Sequence, residues 1–118
     1  MTAQRLPSPS TRLALVQESG PIAAQAVLTA IQAARPCDVI LIEGGPHLLA
    51  DFLHEHLLDE MFLTLAPQVA GRDGSGERPG LVAGRLFAPE HPLWSRLTAV
   101  TMAGSHLFLR YGFGQNDG

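Results

Sequence analysis

One carboxylate and two adjacent glycines, Glu43, Gly44 and Gly45, stand where the sequence changes from an apolar run to a helical pattern. Glycine has no Cβ atom, so the pair lets the backbone turn sharply and lets a bulky anion approach the peptide N–H groups. The dipole of a following helix adds partial positive charge at the same place. This spacing permits phosphate or pyrophosphate binding, with Glu43 hydrogen-bonded to a ribose or substrate hydroxyl or to backbone donors.

A lone Gly-Gly pair is a weak signal, and a purely structural interpretation competes with phosphate binding. In that alternative, Gly44 and Gly45 only make the turn, and Glu43 is solvated at the end of a strand. On spacing alone, the structural alternative is favoured over the binding site.

Polar residues of the next segment could also be imagined as metal ligands. His47, Asp51, His54 and Glu55 fall at helical spacing on the face opposite the leucines. The two histidines of "HEH" (54–56), however, would lie about 200° apart around a helix, and the HExxH pattern is absent. The pattern favours a solvated polar face and predicts no metal site.

The basic residues restrict the classes of partner. All eight are arginines, they are scattered along the chain, and the net charge is −3. Nucleic acid and anionic membranes require clustered positive charge, so neither is an expected partner. The absence of lysine excludes a Schiff base and a Walker lysine. The single cysteine, Cys37, and the lack of a secretion signal or a membrane-spanning run favour a cytoplasmic location.

Hydrophobic periodicity and glycine and proline positions indicate the elements that hold these residues. After the glycines, five apolar residues recur on one helical stripe, at Leu48, Leu49, Phe52, Leu53 and Leu57. In chain order we expect a flexible leader (1–11), a strand (12–17), a helix with Pro21 in its first turn that ends near Arg35 and Pro36, a strand (37–43), the helix just described, a strand (60–67), a glycine-rich connector or lid (71–80), a hairpin (96–104 and 105–113) and a frayed tail (114–118).

The order of these elements predicts the fold class. Strand, helix, strand, helix, strand is typical of a right-handed parallel α/β sheet. The run at 37–43 is apolar at both alternating sets of positions, as in a central strand covered by helices on both faces. We therefore expect one globular α/β domain over residues 12–113, with helices on both faces of a parallel sheet and a C-terminal antiparallel hairpin. Ligands of such sheets bind beyond the carboxyl ends of the strands, where Gly44 and Gly45 lie.

Two stretches carry a family resemblance, "VILIEGGPHLLADFLHEHLLDEMFLTLAPQVAGRDG" and "GSHLFLRYGF". They resemble the second half of the reductase domain of the bacterial bifunctional riboflavin-biosynthesis deaminase/reductase, within the dihydrofolate reductase-like superfamily. The resemblance covers residues 12–113, and the ordered set of matching features is more specific than any one of them. It implies a three-layer dihydrofolate reductase-like fold, present here in part.

The resemblance also implies an activity and a set of site residues. The activity is an NADPH-dependent reduction of a phosphoribosylamino-pyrimidine, in which hydride passes to the sugar carbon. Because the family mainly positions two reactants, no nucleophile is expected and no catalytic residue is assigned. Glu43 would contact the pyrimidine substrate, and His47 would contact the cofactor mainly through its backbone. The residues carried over as NADP contacts are Gly44, Gly45, Pro46, His47, Leu48 and Leu49.

The first half of the family domain, with its first strands and its phosphate-holding arginines, has no expected counterpart in these residues. Two hypotheses follow. In the first, the chain is a shortened reductase or acts together with a partner chain. In the second, it is a noncatalytic module that keeps the sheet and forms a homodimer through its C-terminal hairpin.

Overall fold

The structure is a computed structural model that describes residues 19–114. These residues form two helices, α1 (Ala24–Ala34) and α2 (Pro46–His54), and three strands, β1 (Glu60–Leu65), β2 (Arg96–Ala103) and β3 (His106–Gly112). The chain divides into two compact units between Ile42 and Glu43. Helix α1 belongs to the first unit, and α2 with all three strands belongs to the second.

Helix α1 confirms the first predicted helix. It ends where Arg35 adopts an extended conformation (φ −157°, ψ 112°) immediately before Pro36, since a residue that precedes proline disfavours the helical region. The Gln32 side chain stabilises this end, because its amide donates to the carbonyl of Cys37 (2.9 Å) and accepts from its N–H (3.1 Å). The helix begins at Ala24, so the placement of Pro21 in its first turn is wrong.

Helix α2 follows the glycine pair directly, as the apolar stripe predicts. Pro46 occupies its first position, where no amide donor is needed, and Gly45 precedes it as N-cap. Along the stripe, Phe52 and Leu53 are buried, and their burial contributes about 1.5–3 kcal/mol each. Leu48 and Leu49 lie nearer the surface.

The end of α2 is closed by a Schellman motif. The N–H of Leu57 donates to the carbonyl of Phe52 (3.0 Å), and the N–H of His56 donates to the carbonyl of Leu53 (3.1 Å). His56 adopts a left-handed conformation (φ 55°) at the position where glycine is the usual residue. A histidine is therefore held here in a backbone conformation that its side chain disfavours.

The three strands form one antiparallel sheet in the order β1-β3-β2. Strands β2 and β3 are a hairpin whose turn contains Gly104 in a left-handed conformation (φ 57°), so the predicted hairpin is confirmed. Strand β1 confirms the predicted strand at 60–67, but its partner is β3, and the pairing is antiparallel.

The register gives the sheet two chemically different faces, because residues directly opposite each other share a face. On one face, Glu60 and Arg110 form an ion pair (2.6 Å), and the Arg110 guanidinium lies 5.4 Å from the ring centroid of Phe62. The other, which we call the apolar sheet face, carries nine apolar residues in three rows across β1, β3 and β2: Leu65, Leu107 and Met102; Leu63, Leu109 and Val100; Met61, Tyr111 and Leu97.

The predicted fold class is wrong. Residues 19–114 contain no parallel sheet. They therefore do not form the expected three-layer dihydrofolate reductase-like architecture, with helices on both faces of a parallel sheet. In place of the central strand, residues 37–43 form no strand, and Val39 and Leu41 are 85% and 75% exposed. The predicted strand at 12–17 lies outside the described residues.

The physical reason is the pairing of the strands. An apolar run becomes a strand only if neighbouring strands satisfy its backbone N–H and C=O groups. Strand β1, which was expected to extend a parallel sheet, pairs instead with β3, which the short turn at Gly104 places beside β2. Within the described residues, none of the three strands pairs with the run at 37–43.

None of the helices in the described part of the chain is both long enough and apolar enough to cross a membrane.

Candidate functional site

The start of α2 presents backbone donors. Its first helical hydrogen bond runs from the N–H of Leu49 to the carbonyl of Gly45 (3.2 Å). The preceding amides of His47 and Leu48 make no hydrogen bond to any residue between 19 and 114, and Pro46 has no N–H to offer. Two peptide donors are thus available at the positive end of the helix dipole, which is the arrangement that favours an anion.

The two glycines differ in what their missing side chains permit. A Cβ atom on Gly44 would overlap the end of the Leu48 side chain, which would have to shift, so packing inside the turn favours glycine at 44. A Cβ atom on Gly45 would meet nothing within 4 Å, and the Gly45 backbone (φ −74°, ψ 175°) suits any residue. Packing therefore does not explain Gly45, whose lack of a side chain leaves open space beside the free amides.

The structure places the predicted site residues together, because they are consecutive along one bend. Glu43, Gly44, Gly45, His47 and Leu48 are exposed. Pro46 and Leu49 are half-buried at the start of the helix. Glu43 lies at the beginning of the second unit, in a segment that is not part of a strand.

A segment that sequence reasoning missed holds the first turns of α2. The N–H of Ala83 donates to the carbonyl of Pro46 (3.1 Å), and Gly84 lies against the His47 imidazole. The Arg85 guanidinium then pairs with Asp51, one helical turn further on (2.8 Å). Residues 83–85, which we call the clamp segment, therefore fix the side of α2 that carries His47 and Asp51.

Gly84→Ala should destabilise the second unit by about 1–3 kcal/mol. Gly84 has φ +80°, which disfavours any side chain, and an added Cβ would lie 2.9 Å from Cδ2 of His47. Urea unfolding measures the loss. Gly76→Ala is the matched control, because a Cβ there meets nothing within 4 Å. Equal stability of the two variants would show that the clamp segment does not pack as described.

The polar face of α2 was predicted to be solvated. In the structure, the Asp51 carboxylate forms an ion pair with Arg85, and the His47 imidazole lies against Gly84. Across residues 19–114, no group of three or more histidine, cysteine, aspartate or glutamate residues is placed to hold a metal ion.

The glycine-rich segment contains a local turn rather than a helix or strand. The Ser75 hydroxyl and N–H both donate to the Asp73 carboxylate, and these hydrogen bonds lower the pKa of Asp73. Arg78 donates to the carbonyl of Gly71 across the same loop (3.4 Å). These contacts are all local and exposed. They do not distinguish a connector from a lid, so both roles of the glycine-rich segment stay predictions.

Comparison with protein families decides the relationship of the chain. Residues 3–97 match the family model described as the RibD C-terminal domain. The chain belongs to the RibD C-terminal domain family. The resemblance inferred from the glycine bend and the segments that follow it is confirmed, and the chain is a reductase-like domain of riboflavin biosynthesis. Members of this family are reductase domains that typically bind NADPH. A search of curated proteins found no match.

Proposed function

We propose that this RibD C-terminal domain is an NADPH-dependent reductase that transfers hydride to a ribosylamino-pyrimidine, as a 5-amino-6-(5-phosphoribosylamino)uracil reductase does. The observation that carries the proposal is the pair of free amides at His47 and Leu48, directly behind the open position at Gly45. The cofactor expected for the family carries phosphates, and this bend offers two peptide N–H donors at the positive end of a helix dipole.

The donor set fits phosphate groups without a basic side chain. Two peptide N–H groups and the helix dipole favour an anion at the bend. The arginine of the clamp segment, Arg85, pairs with Asp51. Binding therefore depends mainly on backbone geometry. The residues proposed as cofactor contacts are those that the family resemblance implies: Gly44, Gly45, Pro46, His47, Leu48 and Leu49.

The residues of this chain bind and orient the reactants. NADPH, when bound, supplies the hydride. The amides of His47 and Leu48 would hold its phosphates, and the absence of a side chain at Gly45 would let those phosphates reach the amides. Glu43 stands one residue before the glycines and accepts a hydrogen bond from a hydroxyl of the pyrimidine substrate or of a ribose. No catalytic residue is assigned.

Isothermal titration of the full chain with NADPH tests the proposal. A dissociation constant of about 1–100 μM, which corresponds to roughly 5–8 kcal/mol of binding free energy, is the expected result. Binding only at millimolar concentration, or none, would overturn it. Reduction of the pyrimidine substrate, followed by loss of NADPH absorbance, then tests the activity itself.

We also propose that the chain forms a homodimer through its C-terminal hairpin, as a noncatalytic interaction module would. The apolar sheet face supports this second candidate. Its β2 residues Leu97, Val100 and Met102 are at least half exposed, and so is Leu65 on β1. Contiguous apolar surface of this kind is characteristic of protein interfaces. The face carries no charged residue, so two copies can meet there without burying a charge.

A further inference from the structure

A cavity of about 210 Å³ lies in the second unit, beyond the C-terminal end of α2. One wall comes from the helix and the turn after it, and the other comes from the segment before β2 and the residues after β3. Its walls include Leu53, His56, Leu58, Leu93, Trp94 and Phe113. No aspartate, glutamate or arginine lines it. Two aromatic rings, several apolar side chains and one imidazole are the usual composition of a small-molecule site.

Trp94 is the first unexplained feature of this cavity. It is the single tryptophan of the chain, and it is 82% exposed although it lines the wall. An indole buries a large apolar area when it is covered, and here most of that area faces water. The exposed indole leaves a flat aromatic surface available to a ligand.

His56 is the second feature, and it is independent of the first. The Schellman motif needs a left-handed residue at 56, and glycine would meet that need without strain. A histidine there retains the strained backbone and adds an imidazole to the cavity wall. Residues with strained backbones cluster at active sites and ligand sites. The imidazole can donate one hydrogen bond and accept another, depending on its tautomer.

We propose that this cavity binds the planar ring of a nitrogen heterocycle, stacked on Trp94 and hydrogen-bonded to His56. The volume of the cavity limits the size of the ligand. A cavity of roughly 150 Å³ holds one benzene ring, so about 210 Å³ admits one ring or two small fused rings. The absence of fixed charge on the wall selects a neutral ring. The aromatic walls favour a planar ligand over a saturated one of equal size.

This site is separate from the proposed phosphate bend. Helix α2 has nine residues and is therefore about 13.5 Å long, and the two sites lie at its opposite ends. The heterocycle site does not rest on the proposed reductase function. It would remain if the bend at Gly45 bound no cofactor.

Benzimidazole is a suitable probe, and the single tryptophan gives one indole N–H signal in ¹⁵N-resolved NMR spectra of the full chain. We expect a saturable shift of that signal with a dissociation constant of about 0.1–3 mM, the range for a ligand of so few atoms. Cyclohexanol, which is of similar size to one ring but not planar, should leave the signal in place at the same concentrations. No saturable shift up to about 10 mM benzimidazole, or an equal shift with cyclohexanol, would overturn the proposal.

His56→Gly separates a ligand contact from a structural role. Glycine suits the left-handed backbone, so the variant should unfold at the same or a higher urea concentration than the parent. Its dissociation constant for benzimidazole should nevertheless rise at least about fivefold, because the imidazole is lost. Unchanged affinity would remove His56 from the site. Gly45→Asp, at the other end of α2, should leave benzimidazole binding unchanged, and a loss there would show that the two sites are not separate.

Discussion

Gly45→Asp should abolish NADPH binding while the fold stays intact. Gly45 is the N-cap of α2, its backbone conformation suits any residue, and an added Cβ meets nothing within 4 Å. Aspartate is a favoured N-cap residue, so its carboxylate would accept hydrogen bonds from the free amides of His47 and Leu48 and would repel phosphate. We expect at least a 100-fold loss of affinity, or roughly 2.7 kcal/mol, in isothermal titration with NADPH.

Stability measurements and two further variants make this result specific. The urea midpoint of Gly45→Asp should equal or slightly exceed that of the parent, since the amides gain a partner. Gly45→Asn caps the same amides without a charge, and Gly45→Ala adds only a methyl group. Affinity should therefore decrease in the order parent, alanine, asparagine, aspartate. If Gly45→Asp bound NADPH as tightly as the parent does, the cofactor would not use this bend.

The elements that sequence reasoning identified are those defined by local patterns. Helix α2 follows from a 3.6-residue apolar stripe that begins behind Pro46, and the hairpin follows from two β-prone runs that meet at Gly104. Each pattern is satisfied by contacts within the element or with its nearest neighbour in the chain. Distant residues therefore cannot easily override it.

The parallel sheet failed as a prediction because strand pairing is a long-range choice. An apolar run such as 37–43 indicates that the segment needs cover, but it does not say which strand or surface supplies it. The antiparallel pairing of β1 with β3 joins residues as far apart as Glu60 and Gly112. No property of either strand, taken alone, favours that partner over a parallel one.

In the candidate site, too, local features could be predicted from the sequence and long-range contacts could not. That Glu43 to Leu49 lie together could be predicted because they are consecutive along a glycine bend before a helix, whereas their assignment as a binding site comes from the family resemblance and stays a prediction. The clamp segment could not, since Arg85 reaches Asp51 across 34 positions of sequence. The left-handed conformation of His56 could not be predicted either, because histidine does not mark the end of a helix in the sequence as glycine would.

Met102→Glu should dissociate the proposed homodimer. Covering the apolar sheet face with a second copy would remove roughly 600 Å² from each chain, which is near the lower limit for a specific interface and is typical of weak complexes. Met102 is 74% exposed and lies in the end row of that face, so a carboxylate there would be buried without a partner. Sedimentation velocity at about 5–200 μM should show at least a 100-fold weaker dimer, or about 2.7 kcal/mol.

Thr101→Glu is the matched control for this prediction. Thr101 is the preceding residue of β2, it is exposed, and it lies opposite Phe108 on the other face of the sheet. The same charge at the same end of the same strand should therefore leave the dimer intact, because alternate residues of a strand point to opposite faces. A parent chain that stays monomeric at about 200 μM would contradict the homodimer. Equal dissociation by both variants would contradict the apolar sheet face as its interface and would point instead to the edge of β2.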